Sequence, residues 1–87
     1  MEFEFDENKS RSNLEKHGMD FFEAQFLWHD PNRLEVTVRS ESEPRFALIA
    51  LYKSRFWTAI FTMRAARIRI ISVRRSRYEE EQGYDQC

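Results

Sequence analysis

Residues 45–75 read RFALIALYKSRFWTAIFTMRAARIRIISVRR, and this stretch decides the fold. Three apolar runs, Phe46–Tyr52, Phe56–Met63 and Ile68–Val73, are strand-length and rich in β-branched and aromatic residues. The breaks between them, Lys53–Arg55 and Ala65–Ala66, are of hairpin length. A parallel crossover needs about a dozen residues or more, so these strands are expected to pair antiparallel.

Working outward, Leu34, Val36 and Val38 alternate with Glu35, Thr37 and Arg39, which predicts a half-exposed strand before the polar loop Ser40–Pro44. Further upstream, Asp20-Phe21-Phe22-Glu23 has the D-x-x-E form of a capping box, and Phe21, Ala24, Leu27 and Trp28 recur at helical spacing. That helix is expected to run to the turn Asp30-Pro31-Asn32, with Phe22 and Phe26 outside its buried stripe. A first helix is predicted over roughly residues 7–16, with Asp6 as N-cap and Gly18 at the left-handed stop. Glu2-Phe3-Glu4-Phe5 alternates like a short strand, and Ser76–Tyr84 reads as a polar helix with Ser76 as N-cap. The order β-α-α-β-β-β-β-α predicts one α+β domain over residues 1–87: a short N-terminal strand, two helices, an antiparallel sheet of about four further strands, and a C-terminal helix.

Composition excludes several classes. Apolar residues make up 41%, too many for a disordered chain, and two Gly with two Pro exclude collagen-like and low-complexity sequences. One Cys, Cys87, excludes an intramolecular disulfide framework and a cysteine-based zinc site. No apolar run has the ~18 residues of a membrane span, and the acidic N-terminus lacks a signal-peptide pattern. A cytoplasmic protein with a reduced terminal thiol is expected. His17 and His29 make no zinc motif, and neither a Gly-rich phosphate loop nor a G-x-S-x-G elbow is present.

The net charge of -1 conceals a strong segregation. Residues 1–44 carry eleven acids and five bases. Residues 45–78 carry nine bases, eight of them Arg, and no acid; residues 79–87 carry four acids and no base. Such a block is a candidate anion-binding surface, since guanidinium contacts phosphate bidentately. The alternative is a solvated sheet face neutralised by the acidic helices.

The order of residues then becomes informative. FDENKSRSNLEKHGMDFFEA supplies Phe5, Asp6, Lys9, Asn13, Lys16, His17, Gly18, Asp20, Phe21, Glu23 and Ala24 at the spacing of the opening of the BrnT family of bacterial type II toxins. Asp30-Pro31, the Glu43-x-Arg45-Phe46 element, Thr62-x-Arg64, Arg67-x-Arg69-Ile70-Ile71-Ser72-Val73-Arg74 and Glu80…Tyr84 continue the resemblance along nearly the whole chain. Departures fall at turns and strand interiors, where Ala50, Ser54-Arg55 and Ala65-Ala66 stand in place of the family's glycine-containing steps, and Phe22, Phe26 and Trp57 add bulk.

The resemblance implies a RelE-like fold and a metal-independent endoribonuclease that cleaves mRNA and inhibits translation, with no cofactor. It also implies neutralisation by a BrnA-like ribbon-helix-helix antitoxin, contact with operator DNA only through that antitoxin, and a two-plus-two complex. A second reading is a catalytically impaired BrnT-like module that serves mainly as the antitoxin-bound subunit of a repressor.

RNA cleavage through the 2′-OH needs a base, an acid and cations around the pentavalent phosphorane. His17 is the best candidate proton-transfer group, since histidine ordinarily titrates near ~6.5. Arg45, Arg69 and Arg74 are the candidate catalytic clamps on the phosphate. Lys9, Asn13, Lys16, Arg64, Arg67 and Ser72 are candidate RNA contacts. Lys9, Asn13, Lys16 and His17 share one helix face by their spacing. In a regular strand Arg67 and Arg69 face one way and Ser72 and Arg74 the other, so Arg69 and Arg74 share a site only if a bulge or strand end intervenes. A C-cap role for His17, and a solvated face for Arg67 and Arg69, are the structural alternatives.

Overall fold

The computed structural model describes residues 1–86; Cys87, expected as a reduced thiol, lies outside the described residues. The elements are β1 (Phe3–Glu4), α1 (Glu7–His17), α2 (Phe21–Ala24) running into a 3₁₀ turn (Gln25–His29), β2 (Leu34–Val38), β3 (Arg45–Tyr52), β4 (Arg55–Arg64), β5 (Arg67–Arg75) and α3 (Tyr78–Asp85). One five-stranded sheet has the order β1-β5-β4-β3-β2. The ladder from β2 to β5 is antiparallel throughout, as the hairpin-length connections require. Two-residue β1 joins β5 in parallel, pairing Phe3 with Ile68 and Glu4 with Arg69, which makes the sheet mixed.

Alternation along the strands divides the sheet into two faces. The core face carries Leu48, Ala50, Trp57, Ala59, Phe61, Ile68, Ile70 and Val73, covered by Met19, Phe21, Ala24, Leu27 and Trp28. Trp28 lies edge-on to Phe3 and Phe61, with ring centroids at 5.1 and 5.2 Å. Each large apolar side chain buried here contributes ~1.5–3 kcal/mol. The other face, the arginine face, carries Arg45, Ala47, Ile49, Thr58, Ile60 and Thr62. Helix α3 lies over one half of it: Glu80 reaches Thr58 and Arg74, Tyr84 stacks edge-on against Phe56, and Gly83 leaves room for Leu34, whose Cδ2 would stand 3.3 Å from an added Cβ.

The helix ends follow the sequence closely. Asp6 Oδ1 accepts from the N–H groups of Asn8 and Lys9 at 2.8 and 3.2 Å, and Gly18 stops α1 at φ 86°. Asp20 caps α2 by accepting from Glu23 N at 2.8 Å. The second helix departs from expectation: it is α-helical for only four residues and continues as a 3₁₀ turn. The tighter winding keeps Ala24 and Leu27, three residues apart, on one side and delivers Trp28 to Phe61. The C-terminal helix also starts one residue late. Arg77 is its N-cap, and the Ser76 hydroxyl is taken up by Thr58 at 2.7 Å.

Candidate functional site

At the edge of the sheet, α1 runs beside β5 just past the end of β1. Asn13 joins the two. Its Nδ2 donates to the carbonyls of Met19 and Val73 at 2.7 and 2.8 Å, and its Oδ1 accepts from Val73 N at 3.2 Å. The side-chain amide thus continues the strand pairing that β1 leaves off after Arg69. Asn13 is 7% exposed. Its hydrogen-bonding groups serve this junction, so its part in any RNA site is to fix the wall, not to reach out from it. Ser10, also buried, accepts from Phe21 N at 2.8 Å and locks α1 to α2.

This junction forms the floor of a cleft of about 220 Å³ lined by Lys9, Ser12, Asn13, Lys16, His17, Phe21, Ile71 and Ser72. Lys9, Lys16 and His17 rise from it as exposed side chains. Lys16 and His17 have no hydrogen-bond or ion-pair partner among the described residues. His17 therefore does not cap the helix through a side-chain bond; the Gly18 N–H, donating to Leu14 O at 2.9 Å, supplies that closure.

Strand β5 carries the irregularity that the arginines need. Ile60 pairs with Ser72 and Phe61 with Ile70, so Ile71 is an extra residue, a β-bulge. The bulge reverses the alternation. Arg67 and Arg69 before it and Ser72 and Arg74 after it all lie on the arginine face, while Ile70 and Val73 both stay in the core. Ser72 belongs to both surroundings: it lines the lysine–histidine cleft and sits in the arginine row.

The arginines are not free. Arg69 Nη1 lies 2.8 Å from Glu4 Oε2, Arg67 Nε 3.2 Å from Glu2 Oε1, and Arg64 Nη2 3.6 Å from Glu43 Oε2. Arg74 makes a two-pronged pair with Glu80, both bonds 2.8 Å. Glu80 also accepts from Arg77 N at 2.7 Å and Thr58 Oγ1 at 3.0 Å. Burial alone would raise the Glu80 carboxyl, but Arg74 and the two further donors outweigh it and hold the pKa at about 2. The same pairing raises the Arg74 guanidinium against its own burial. Neutralisation, the alternative reading of the basic block, thus applies to Arg64, Arg67, Arg69 and Arg74.

Arg45 is different. It begins β3 on the arginine face, opposite Val38, and its buried Nε has no hydrogen-bond partner. No carboxylate pairs with it among the described residues. Thr62, on the same face, donates instead to Pro44 O.

The carboxylates facing the arginines were the part the sequence reading did not find. One signal was available: Glu2-Phe3-Glu4-Phe5 and Arg67-Ile68-Arg69-Ile70 are complementary alternations, and parallel pairing aligns acid with base and apolar with apolar. Among the described residues, no three His, Cys, Asp or Glu side chains converge as a metal site.

The fold is that of a small α+β protein in which a lysine–histidine cleft adjoins a largely ion-paired arginine row. A family model for the ribonuclease toxin BrnT of type II toxin–antitoxin systems matches residues 5–80. The chain belongs to this family. No match is found among curated proteins.

Proposed function

We propose that this chain is an mRNA-cleaving toxin working through the 2′-OH of its substrate without a metal or other cofactor. The observation that carries this reading is the cleft in which His17, Lys16 and Lys9 stand unburied beside Ser72, the residue shared with the arginine row. In this reading a substrate phosphate sits over Ser72. His17 exchanges a proton with the 2′ or the leaving 5′ oxygen. Lys9 and Lys16 hold the flanking backbone, and Arg45 stabilises the charge that develops on the phosphorane. The 2′ oxygen forms the new bond to phosphorus, the bond to the 5′ oxygen breaks, and the proton lost at one is returned at the other. Arg69 and Arg74 act as clamps only when Glu4 and Glu80 yield to phosphate. Arg64 and Arg67, paired with exposed carboxylates, give way most readily as outer RNA contacts. Asn13 holds the wall.

The antitoxin partner in this reading is BrnA-like, with a ribbon-helix-helix dimer giving a two-plus-two complex in the cytoplasm. It binds operator DNA for both proteins.

A second reading is favoured by one observation. Glu4 and Glu80 occupy the guanidinium groups of Arg69 and Arg74. A chain in which these pairs never open is a binding module that holds an antitoxin without cleaving RNA. Induced expression with total RNA integrity followed over time separates the two. Growth arrest with fragmentation, lost in His17→Ala and Arg45→Ala, supports the toxin. Normal growth of cells containing soluble wild-type chain, with a stable antitoxin complex, supports the module.

A further inference from the structure

The sheet ends at β2, and among the described residues no strand pairs with its outer side. Its side chains are mostly exposed, including Val36 at 39%. An open edge normally carries charges that repel a second copy. Here the charges are arranged to attract one. Residues 33–41 read RLEVTVRSE. Turned antiparallel on itself about Thr37, this segment sets Glu35 opposite Arg39, Arg33 opposite Glu41, and Val36 opposite Val38. The two-fold axis repeats each match. We infer that the β2 edge is an interaction surface for a second copy of this chain, joining two five-stranded sheets into one continuous sheet.

The register is selective. Opposed residues in such a pair must face the same side, so only registers centred on a residue are available. Centring on Val36 sets Arg33 against Arg39. Centring on Glu35 sets Glu35 against itself. Centring on Val38 sets Glu35 against Glu41. Each neighbouring choice opposes like charges, which destabilises the pair. Of these four registers, only the one centred on Thr37 opposes Glu to Arg without setting like charges against each other. Glu35, Arg39 and Glu41 have no ion-pair partner within the chain among the described residues, so dimerisation takes them from water and not from another bond. The contact is isologous and closes at two copies. Its small size places it among weak interfaces.

Sedimentation velocity of the full chain at concentrations up to ~1 mM tests this. The wild type is expected to show a monomer–dimer equilibrium. Glu35→Arg and Arg39→Glu should each weaken it about tenfold, because each turns two attractive pairs repulsive. An equimolar mixture of the two variants should restore it as a heterodimer, since the altered charges then match. A wild type monomeric throughout, single variants that associate as strongly as wild type, or a mixture that does not recover would each overturn the proposal. So would a monomeric chain whose residues 34–38 become protected from amide exchange only when an antitoxin is added, which would assign the edge to that partner.

Discussion

The arginine row of β5 and the lysine–histidine rim of α1 are both cationic, but they differ in what stands opposite them. Along the sequence the arginines look free, because no acid occurs between residues 45 and 78. In space they, with Arg64 at the end of β4, meet Glu2, Glu4, Glu43 and Glu80, all from outside the block. The rim has the opposite history. Lys9, Lys16 and His17 lie in an acidic half of the chain, yet helical spacing turns them onto one face beside Ser72. Local charge density is therefore a poor guide to available charge. Topology decides it, since an unpaired cation meets phosphate at no cost while a paired one must first lose its carboxylate.

The sharpest test of that difference is His17→Ala. As the proton-transfer group it should lower RNA cleavage ~10²–10⁴-fold, with thermal stability unchanged because His17 is exposed and unbonded. Arg45→Ala should lower cleavage ~10²–10³-fold. Arg69→Ala should cost less than Arg45→Ala, because its charge is already offset by Glu4. Cleavage rates on a defined RNA, read beside melting curves, give the ranking. A larger loss for Arg69 than for Arg45 would reverse the comparison between free and paired cations.

Asn13 sets the next largest effect, and it acts on the fold that supports the rim. Asn13→Ala removes three hydrogen bonds and leaves the carbonyls of Met19 and Val73 and the N–H of Val73 without partners. Destabilisation of ~2–4 kcal/mol is expected in denaturant unfolding. Asn13→Asp should not rescue it, because a carboxylate supplies no donor to the two carbonyls. Full stability in either variant would show that the α1–β5 junction is held by packing alone.

Acid titration probes the paired side. The Glu80 pKa of about 2 lies below the ordinary value of 4.5, so its ion pair stabilises the fold fully above ~4.5 and loses that contribution as pH falls toward about 2. The shift corresponds to roughly 3 kcal/mol. Unfolding free energy should therefore drop between these pH values in the wild type and stay flatter in Glu80→Gln. In the toxin reading Glu80→Gln also frees Arg74, so RNA binding should tighten even as stability at neutral pH falls. Weaker binding would mean that Arg74 serves only to dock α3.

These residues also show where sequence reading succeeds and stops. The three strands of residues 45–75, the Asp6 and Asp20 caps, Gly18 and the buried stripe Phe21, Ala24, Leu27 and Trp28 were legible because each rests on local periodicity or one turn's chemistry. The shared face of Lys9, Asn13, Lys16 and His17 was legible for the same reason. The burial of Asn13 was not, since its partner Val73 is sixty residues away. Nor were the arginine pairs: Glu4 reaches Arg69 through a parallel strand pairing that only the closed sheet creates. The Ile71 bulge was visible as a requirement, because Arg69 and Arg74 could not otherwise share a face, but periodicity gave no position for it.

The hairpin between β4 and β5 offers the smallest change and separates stability from chemistry. Ala65 and Ala66 both take positive φ, 52° and 67°, the pattern of a type I′ turn. For alanine the left-handed conformation costs ~1–2 kcal/mol per residue, and the turn survives because the long β4–β5 ladder fixes both its ends. Ala65→Asn with Ala66→Gly places in the turn the pair that tolerates it. Gains of ~1–2 kcal/mol, or roughly 4–8 °C in melting temperature per kcal/mol, are expected. Arg64 and Arg67 close this turn, and their partners Glu43 and Glu2 come from elsewhere, so the ion pairs should remain. Neither the rim nor Arg45 touches the turn. RNA cleavage at a temperature well below melting should therefore be unchanged. A rise in cleavage beyond the gain in folded protein would instead mean that the alanine turn restrains the arginine row, and that flexibility at its tip, as well as the carboxylates facing it, governs whether those cations reach a phosphate.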